Sequence, residues 1–220
     1  MVSIAIDGTS GAGKSSIAQE IANKLGFVHM NTGALYRVIA LECIQNNIDY
    51  MNEAEVTNFI KSLRVTVKFH DREQINYVNS KQITQHLHEP NISKVSSYIS
   101  QYKSVRDNIK NLQRECATEN NIVIEGRDIC TEILPNADYK FFLTASTEVR
   151  AKRRLLQLEN EGSHNLIYED ILKDIIERDR TDTTRKLCPL VIAKDAVVID
   201  SSNLTYEETV KEFLKHITRR

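Results

Sequence analysis

The sequence predicts an α/β protein built on a five-stranded parallel sheet, with a small antiparallel lobe inserted into the chain and a helical pair in its C-terminal third. Three observations lead to this prediction. Apolar runs alternate with amphipathic helical patterns along most of the chain, which is typical of a parallel sheet covered by helices. A glycine-rich loop follows the first apolar run, and residues 63–85 form a β-rich stretch of different character.

Five short apolar segments are predicted to form the parallel sheet, because buried strands have this length and composition. They are VSIAID (2–7), FVHM (27–30), NIVIEG (121–126), YKFFLTA (139–145) and AVVID (196–200). The carboxyl ends of parallel strands meet at one edge of a sheet, where open α/β proteins bind their ligands. We therefore expect functional residues directly after these segments.

Segments with apolar residues at helical spacing are predicted to be helices. They are residues 15–25, 33–47, 91–101, 104–118, 146–160, 165–180 and 206–218. Gly26 should end the first helix, and Ser104 should cap the fourth. Thr205 and Glu208 have the spacing of a capping box at the start of the last helix.

The stretch at 63–85 reads differently from the βα pattern around it. LRVTVKFH, QINYVN and KQIT are short and alternating, and they are separated by DRE and S. Two hairpins in succession are the simplest arrangement of such segments. The stretch therefore predicts a small antiparallel sheet inserted between units of the main sheet.

Composition limits the classes of function. The chain has 220 residues, of which 41% are hydrophobic and 27% are charged, and its net charge is −1. Such a composition is typical of soluble globular proteins, and the charge gives no general attraction to nucleic acid or anionic membranes. The N-terminal MVSIAIDG lacks the features of a signal peptide, and the four cysteines form no CxxC pair. We expect a cytoplasmic protein that binds neither nucleic acid nor a membrane.

The first functional motif is GTSGAGKS, which matches G-x-x-x-x-G-K-[ST] at Gly8, Gly13, Lys14 and Ser15. Its glycines allow backbone N–H groups to converge on phosphate oxygens, and the following helix presents its N-terminus to the same anion. Lys14 would bridge the β- and γ-phosphates, and the Ser15 hydroxyl would bind Mg²⁺. The motif predicts a nucleoside triphosphate with Mg²⁺, but a GTP switch, an ATPase motor and a small-molecule kinase would all use it.

A kinase needs an acceptor site, and polar residues follow two of the predicted strands. NTGALYR follows the second strand and contains Thr32 and Arg37, while EGRD follows the third and contains Glu125, Arg127 and Asp128. Arginines grip phosphate groups bidentately. Arg37 and Arg127 could therefore hold one acceptor phosphate beside the glycine loop.

Further positive charge lies in the predicted helical pair. Arg178, Asp182 and Arg185 share one face if their helix continues that far. Three more arginines begin the preceding helix, and they are Arg150, Arg153 and Arg154. Each set could be an ordinary solvated surface, but arginines can also stabilise the oxygens of a transferring phosphoryl group.

Two acidic residues at strand ends could act on the metal. Glu125 follows an apolar strand beside the loop and could orient water molecules on Mg²⁺. Asp7 is a weaker candidate for the same role, and a structural role is an equal alternative for both residues.

The motifs together resemble a known family. GTSGAGKSS, NTGALYR, VRDNIKNLQRECA, EGRD, TEVRAKRRLLQL and ERDRTDTTR...PL have the order and spacing found in bacterial cytidylate kinases, which are nucleoside monophosphate kinases. The resemblance extends over nearly the whole chain and includes the 63–85 insert. It implies a single kinase domain at 1–220 with a P-loop core, a monophosphate-binding lobe at about 63–93 and a helical lid at about 150–185.

The resemblance also implies individual roles. The residues expected to bind ATP are Gly8, Thr9, Ser10, Gly11, Ala12, Gly13, Lys14, Ser15, Ser16, Arg150 and Arg154. The residues expected to bind CMP are Thr32, Arg106 and Asp128 at the cytosine, Arg37, Arg127 and Arg185 at the phosphate, and Ser97, Arg178 and Asp182 at the ribose. The catalytic residues would be Lys14, Arg127, Arg153 and Arg185.

The implied reaction is phosphoryl transfer from ATP to CMP, and to dCMP, giving ADP and a cytidine diphosphate in pyrimidine nucleotide metabolism. Mg²⁺ would accompany ATP, and the protein would be a monomer. Two alternatives remain open. One is a kinase whose preferred acceptor is UMP or dCMP, and the other is a nucleotide-binding switch without catalytic activity.

Overall fold

The computed structural model describes residues 1–84, 87, 89–160, 162 and 166–217. Its strands are β1 (Ser3–Gly8), β2 (Val28–Asn31), β3 (Val65–His70), β4 (Glu73–Val78), β5 (Lys81–Gln82), β6 (Ile122–Glu125), β7 (Tyr139–Thr144) and β8 (Val197–Asp200). Five of these strands form one parallel sheet in the order β2-β6-β1-β7-β8. All five predicted segments contribute to it, so the predicted parallel sheet is confirmed.

The insert forms a separate antiparallel sheet in the order β3-β4-β5. Two tight turns connect its strands. Asp71 and Arg72 have φ of 49° and 71°, and Asn79 and Ser80 have φ of 48° and 69°, which are the left-handed pairs that two-residue hairpins require. The predicted small sheet is therefore confirmed. Residues 85, 86 and 88 of the predicted lobe, like 161 and 163–165 of the predicted lid, lie outside the described residues.

The helices cover both faces of the parallel sheet. They are α1 (Lys14–Leu25), α2 (Thr32–Gln45), α3 (Glu53–Ile60), α4 (Pro90–Ile99), α5 (Lys103–Glu119), α6 (Thr147–Asn160), α7 (Tyr168–Thr184) and α8 (Tyr206–His216). A π-helix spans Ile129–Ile133. Neither α3 nor the π-helix was expected from the sequence.

The predicted helix caps have mixed outcomes. Gly26 ends α1 in the left-handed conformation, and Thr205 and Glu208 form the predicted capping box. The prediction for Ser104 is wrong, because α5 begins one residue earlier and Tyr102 is its N-cap. The Ser104 hydroxyl lies 2.8 Å from the Thr57 hydroxyl, so it links α5 to α3 instead of capping its own helix.

Two apolar clusters enclose the sheet. One contains Met30 and Leu35 together with buried residues of α4 and α5. The other packs α1 and α8 on the opposite face, where the Phe141 and Phe213 ring centroids are 4.6 Å apart. Burial of this apolar surface is the main stabilising contribution to such a fold. Among the described residues, no helix has the length and apolar character of a membrane span.

Strand register places the ends of three neighbouring strands together. Glu125 at the end of β6 is paired with Ile6 of β1 on one side and with Asn31 of β2 on the other. The residues that follow these strands therefore meet at one edge of the sheet. The glycine loop leaves this edge from β1, the central strand.

Candidate active site

The glycine loop has the conformation that a phosphate cradle needs. Gly11 and Gly13 have φ of 74° and 91°, which favours glycine. At Gly8 a side chain is excluded by space, because a Cβ atom would lie 1.9 Å from the carbonyl oxygen of Leu143. The loop thus uses glycine for backbone direction at two positions and for close strand contact at the third.

Lys14 is buried at the start of α1, and its Nζ donates a hydrogen bond of 2.7 Å to the carbonyl oxygen of Thr9. Burial, with a smaller contribution from the nearby Arg127 guanidinium, lowers the pKa of Lys14 to about 7. A buried ammonium group in this position lacks enough negative charge around it. A bound phosphate would supply that charge.

Ser15 and Glu125 form the candidate Mg²⁺ position. The Ser15 hydroxyl donates to Glu125 Oε1 at 2.7 Å, and Asn31 Nδ2 donates to the same hydroxyl at 3.3 Å. Hydroxyl and carboxylate oxygens fit Mg²⁺, which usually takes few protein ligands and completes its shell with phosphates and water. The described residues contain no cluster of three metal-ligating side chains that would form a site without a nucleotide.

Asp7 does not take part in the candidate metal position. Its carboxylate is almost completely buried and accepts hydrogen bonds from the backbone N–H groups of Ile129 at 2.9 Å and Cys130 at 2.8 Å. The structural alternative considered for Asp7 therefore holds. Each of its two oxygens accepts from a residue of the π-helix.

The EGRD motif is packed too closely for any larger residue in its glycine position. A Cβ atom at Gly126 would lie 2.7 Å from the Thr32 hydroxyl oxygen and 2.8 Å from Cδ1 of Ile129. The Thr32 hydroxyl in turn donates to the carbonyl oxygen of Glu125 at 2.8 Å. Close contact between β6 and the start of α2 brings Thr32 beside the residues that follow Gly126.

A buried ion pair joins Arg106 of α5 to Asp128, which follows β6. Arg106 Nη1 also donates to the carbonyl oxygen of Ser100 at 3.0 Å, and the Arg106 guanidinium lies 5.8 Å from the centre of the Tyr36 ring. Although burial lowers it, Tyr36 and Asp128 together raise the pKa of Arg106. The structure thus brings together Arg106 and Asp128, two of the three residues predicted to read a cytosine, with Thr32 close by.

Buried arginine nitrogens without partners mark an anion site. Nε of Arg37, Nε of Arg178 and Nη2 of Arg185 have no hydrogen-bond partner among the described residues. Burial, then the neighbouring Arg127, lowers the pKa of Arg178 to about 10, and burial also lowers the pKa of Arg37. Such groups carry a desolvation cost that an anionic ligand would offset.

Asp182 organises the other arginines of this group. Arg127 Nε donates to Asp182 Oδ2 at 2.8 Å, and Arg185 Nη1 lies 3.8 Å from Asp182 Oδ1. Although burial raises it, Arg127 and Arg178 hold the pKa of Asp182 below its usual value. The carboxylate therefore stays charged and fixes the arginines at the ends of β6 and α7.

Of the arginines predicted in α6, Arg153 and Arg154 line the cavity and Arg150 does not. Arg153 donates to the Ser201 hydroxyl at 2.9 Å and to its carbonyl oxygen at 2.8 Å. Arg150 is buried behind the loop, where it pairs with Asp179 at 2.7 Å and donates to the carbonyl oxygen of Ser10 at 2.9 Å. Arg150 thus lies against the loop backbone, and its direct contact with a nucleotide stays a prediction.

One cavity of about 700 Å³ connects these groups. Its walls include the predicted residues Ser10, Gly11, Ala12, Gly13, Lys14, Ser15, Ser16, Thr32, Arg37, Ser97, Arg106, Glu125, Arg127, Asp128, Arg153, Arg154, Arg178, Asp182 and Arg185. Gly8 and Thr9 support the loop from behind and are not in the wall.

The cavity also has wall residues that were not predicted. They are Ile17, Asn31, Gly33, Tyr36, Ser93, Ser96, Ser100, Gly126, Gln157, Ser201, Tyr206 and Thr209. The serines on α4 carried a visible signal, because Ser93, Ser96, Ser97 and Ser100 have the spacing of one helix face. Tyr206 carried none, since only the fold brings α8 to the loop, where its hydroxyl donates to the carbonyl oxygen of Ser16 at 3.1 Å.

Comparison with known proteins agrees with this geometry. A family model described as cytidylate kinase matches residues 4–219. The cytidylate kinase of Caldicellulosiruptor bescii is 38% identical over 97% of this chain and 94% of its own length. The cytidylate kinase of Clostridium botulinum strain Langeland is 42% identical over 99% of this chain and 98% of its own.

A solved structure supports the fold alone. The shikimate kinase of Bacteroides thetaiotaomicron superimposes with a TM-score of 0.50 over 97% of both chains, at 14% identity. At this level of identity the likeness concerns the architecture of the sheet and helices, and the substrate must be argued from the site.

Proposed function

We propose, from the premise that the chain belongs to the cytidylate kinase family, that the cavity between the glycine loop and the arginines is its active site. The chain is an ATP-dependent nucleoside monophosphate kinase that transfers a phosphoryl group from ATP to CMP. The observation that carries the assignment concerns Arg37, Arg178 and Arg185, which line the same cavity as Lys14. Each has a buried nitrogen without a hydrogen-bond partner among the described residues.

The acceptor needs little chemical activation. The second pKa of a phosphate monoester is about 6, so the CMP phosphate is mostly dianionic at neutral pH. Its oxygen can attack the γ-phosphorus of ATP without a general base. The protein would contribute position and charge, with Lys14 on the donor phosphates and Arg37, Arg127 and Arg185 on the acceptor phosphate.

Base recognition would rest on Asp128, Arg106 and Thr32. Cytosine presents an amine at C4, which donates, beside acceptors at N3 and O2. A carboxylate accepts from the amine, and a guanidinium donates to the acceptors. Uracil has a carbonyl oxygen at C4 in place of the amine, so it would face the Asp128 carboxylate with two acceptors opposed.

Ser97, Arg178 and Asp182 are proposed to contact the ribose. All three line the cavity that also contains Arg106, Asp128 and the glycine loop. Phosphorylation of dCMP beside CMP also belongs to the proposal.

Mg²⁺ would enter with ATP. The Ser15 hydroxyl would be its protein ligand, and Glu125 would orient water molecules around it. When bound, the ion would neutralise charge on the β- and γ-phosphates. Asn31 helps to fix the Ser15 hydroxyl in this position, because its side chain donates a hydrogen bond to it.

We also propose that residues 63–93 form a monophosphate-binding lobe and residues 150–185 a lid. The protein is further proposed to be a cytoplasmic monomer. Closure of both segments over two nucleotides would exclude water, which could otherwise accept the phosphoryl group. Arg153 and Arg154 would approach the donor phosphates on closure.

ADP formation with CMP, dCMP, UMP and AMP as alternative acceptors tests the proposed substrate. We expect CMP to have the highest kcat/KM, with dCMP next.

Asp128→Asn should lower kcat/KM for CMP but not for UMP. The lost discrimination between the two acceptors should be about 1–3 kcal/mol. Arg37→Ala should weaken all monophosphates alike, because Arg37 is proposed to bind the phosphate that they share. An Asp128→Asn enzyme with the wild-type CMP:UMP ratio would overturn the base assignment.

A further inference from the structure

Asp7 occupies a junction between the two halves of the site. It is the last residue of β1 before Gly8, where the glycine loop begins. Its side chain points to the neighbouring strand end and accepts hydrogen bonds from the N–H groups of Ile129 and Cys130. Its carboxylate is 1% exposed, so both of its oxygens are committed to these contacts.

The two N–H groups belong to the residues directly after Asp128. The carbonyl oxygen of Asp128 accepts from the N–H groups of Glu132 at 2.9 Å and Ile133 at 3.2 Å, the last two residues of the π-helix. The backbone on the C-terminal side of Asp128 is therefore held at four points. Two of these are supplied by the π-helix itself, and two come from the Asp7 side chain.

The π-helix is an uncommon structure that needs such support. Single turns of π-helix occur mostly at functional sites, and its first N–H groups have no partner within the helix. Asp7 supplies that partner from another strand. Asp128 itself, with φ of −142° and ψ of 25°, is the residue that directly precedes the π-helix.

We propose that Asp7 is a positioning residue for base selection. By holding the N–H groups after Asp128, it fixes the Asp128 carboxylate where it meets Arg106 and the incoming base. This inference rests on the proposed function, because it takes Asp128 as the group that reads the cytosine amine. Asp7 itself contacts no substrate.

A change to asparagine tests the inference with little change in volume. In Asp7→Asn, one acceptor oxygen remains, and the amide NH₂ faces one of the two N–H groups. We expect the ratio of kcat/KM for CMP to that for UMP to fall about fivefold or more, within the range set by a lost base contact. Active-enzyme concentration cancels from this ratio, so partial unfolding of the variant does not affect the result.

A double-mutant cycle shows whether Asp7 acts through Asp128. In the Asp128→Asn background, Asp7→Asn should leave the CMP:UMP ratio unchanged within about twofold, because the contact it supports is already absent. If Asp128→Asn alone leaves the ratio unchanged, the proposed base assignment fails. If Asp128→Asn lowers the ratio and Asp7→Asn does not, only the role of Asp7 fails.

The matched control is Asp138→Asn. Asp138 also accepts a backbone hydrogen bond at a strand end, from the Ser3 N–H at 2.9 Å, but it lies at the opposite edge of the sheet. Its substitution should leave the CMP:UMP ratio at the wild-type value. An Asp7→Asn enzyme that loses CMP and UMP activity in equal proportion would assign Asp7 to folding and overturn the inference.

Hydrogen exchange of the wild-type protein gives a second test that needs no variant. The amides of Ile129 and Cys130 should be protected in the free enzyme and exchange more slowly still with CMP bound. Exchange of both amides at the rate of exposed loop amides in each state would contradict the inference.

Discussion

Because Asp7 is buried, the ionisation of its carboxyl group affects the stability of the folded chain. Desolvation raises the pKa of Asp7 to about 6, although its two backbone hydrogen bonds act in the opposite direction. The pKa is therefore higher in the folded chain than in the unfolded one. A carboxylate of this kind destabilises the folded state as pH rises through the interval between the two pKa values.

The stability of Asp7→Asn should depend on pH differently from that of the wild type. Between about pH 4 and pH 7, we expect the wild type to lose roughly 1–3 kcal/mol of unfolding free energy relative to the variant, because only the wild type ionises a buried group. Urea unfolding at half-unit pH intervals measures the difference. The unfolding free energy of Asp138→Asn should change with pH in the same way as that of the wild type. If the difference in unfolding free energy between wild type and Asp7→Asn does not change with pH, the raised pKa of Asp7 is contradicted.

Among the helices, α6 and α7 are tied to the glycine loop by one ion pair. Arg150 on α6 pairs with Asp179 on α7, and between them they bind the Ser10 peptide. Arg150 donates to the Ser10 carbonyl oxygen, and the Ser10 N–H donates to Asp179 at 3.4 Å. Gly11 permits this approach, since a Cβ atom there would lie 3.3 Å from Cβ of Arg150.

Loss of this ion pair should weaken ATP binding more than CMP binding. In Asp179→Asn the buried Arg150 loses its charged partner, and we expect the Kd for ATP to rise about tenfold, the equivalent of roughly 1.4 kcal/mol. Calorimetric titration with each nucleotide measures the effect. Glu177→Gln is the matched control on the same helix, because Glu177 forms an exposed pair with Arg180 that should contribute little. Equal loss of ATP and CMP affinity in Asp179→Asn would argue against a specific link to the loop.

Elements with a local signal could be predicted from the sequence, and those fixed by distant contacts could not. Each parallel strand is a short apolar run, and the capping box at Thr205 lies within four residues. The π-helix depends on Asp7, which is 122 residues before Ile129 in the chain. Helix α3 is short, and its clearest signal is the Asn52 side chain, which accepts from the Glu55 N–H at 3.2 Å.

In the candidate site too, residues with a local sequence signal could be predicted, and positions fixed by distant contacts could not. Lys14, Ser15 and the arginines lie in motifs whose residue types indicate their chemistry. The position of Arg150 could not be deduced, because an arginine beside a phosphate loop can face the ligand or the loop backbone. Burial and the Asp179 partner decide between these positions, and both come from the packing of α6 against α7.

Across the whole molecule, charge is distributed unevenly. The net charge is −1, yet the cavity gathers Lys14 and a group of arginines, and three of their buried nitrogens have no hydrogen-bond partner among the described residues. Such a cavity attracts anions although the protein does not. The folded state without nucleotide carries the cost of this concentrated positive charge.

A single ligand that fills both halves should therefore stabilise the protein strongly. We expect a dinucleotide in which cytidine and adenosine are joined by five phosphates to raise the Tm by roughly 5–10 °C at 100 times its Kd. At the same concentration and under equal Mg²⁺, ATP or CMP alone should give a smaller rise, because each fills half of the cavity and binds more weakly. Differential scanning fluorimetry measures this, and Arg37→Ala provides the comparison. A shift no larger than that with ATP alone would show that the two halves do not bind one ligand together.

The order of the parallel strands has a stereochemical consequence. The glycine loop follows the central strand β1, acceptor residues follow β6 and β2 on one side, and Arg153 and Ser201 lie after β7 and β8 on the other. In the proposed reaction, nucleotides bound on these two sides would place the phosphorus between the entering and leaving oxygens, which lie roughly in line in phosphoryl transfer. A single displacement in this arrangement inverts the configuration at phosphorus. We therefore expect a γ-phosphoryl group made chiral with oxygen isotopes to reach the acceptor with inverted configuration.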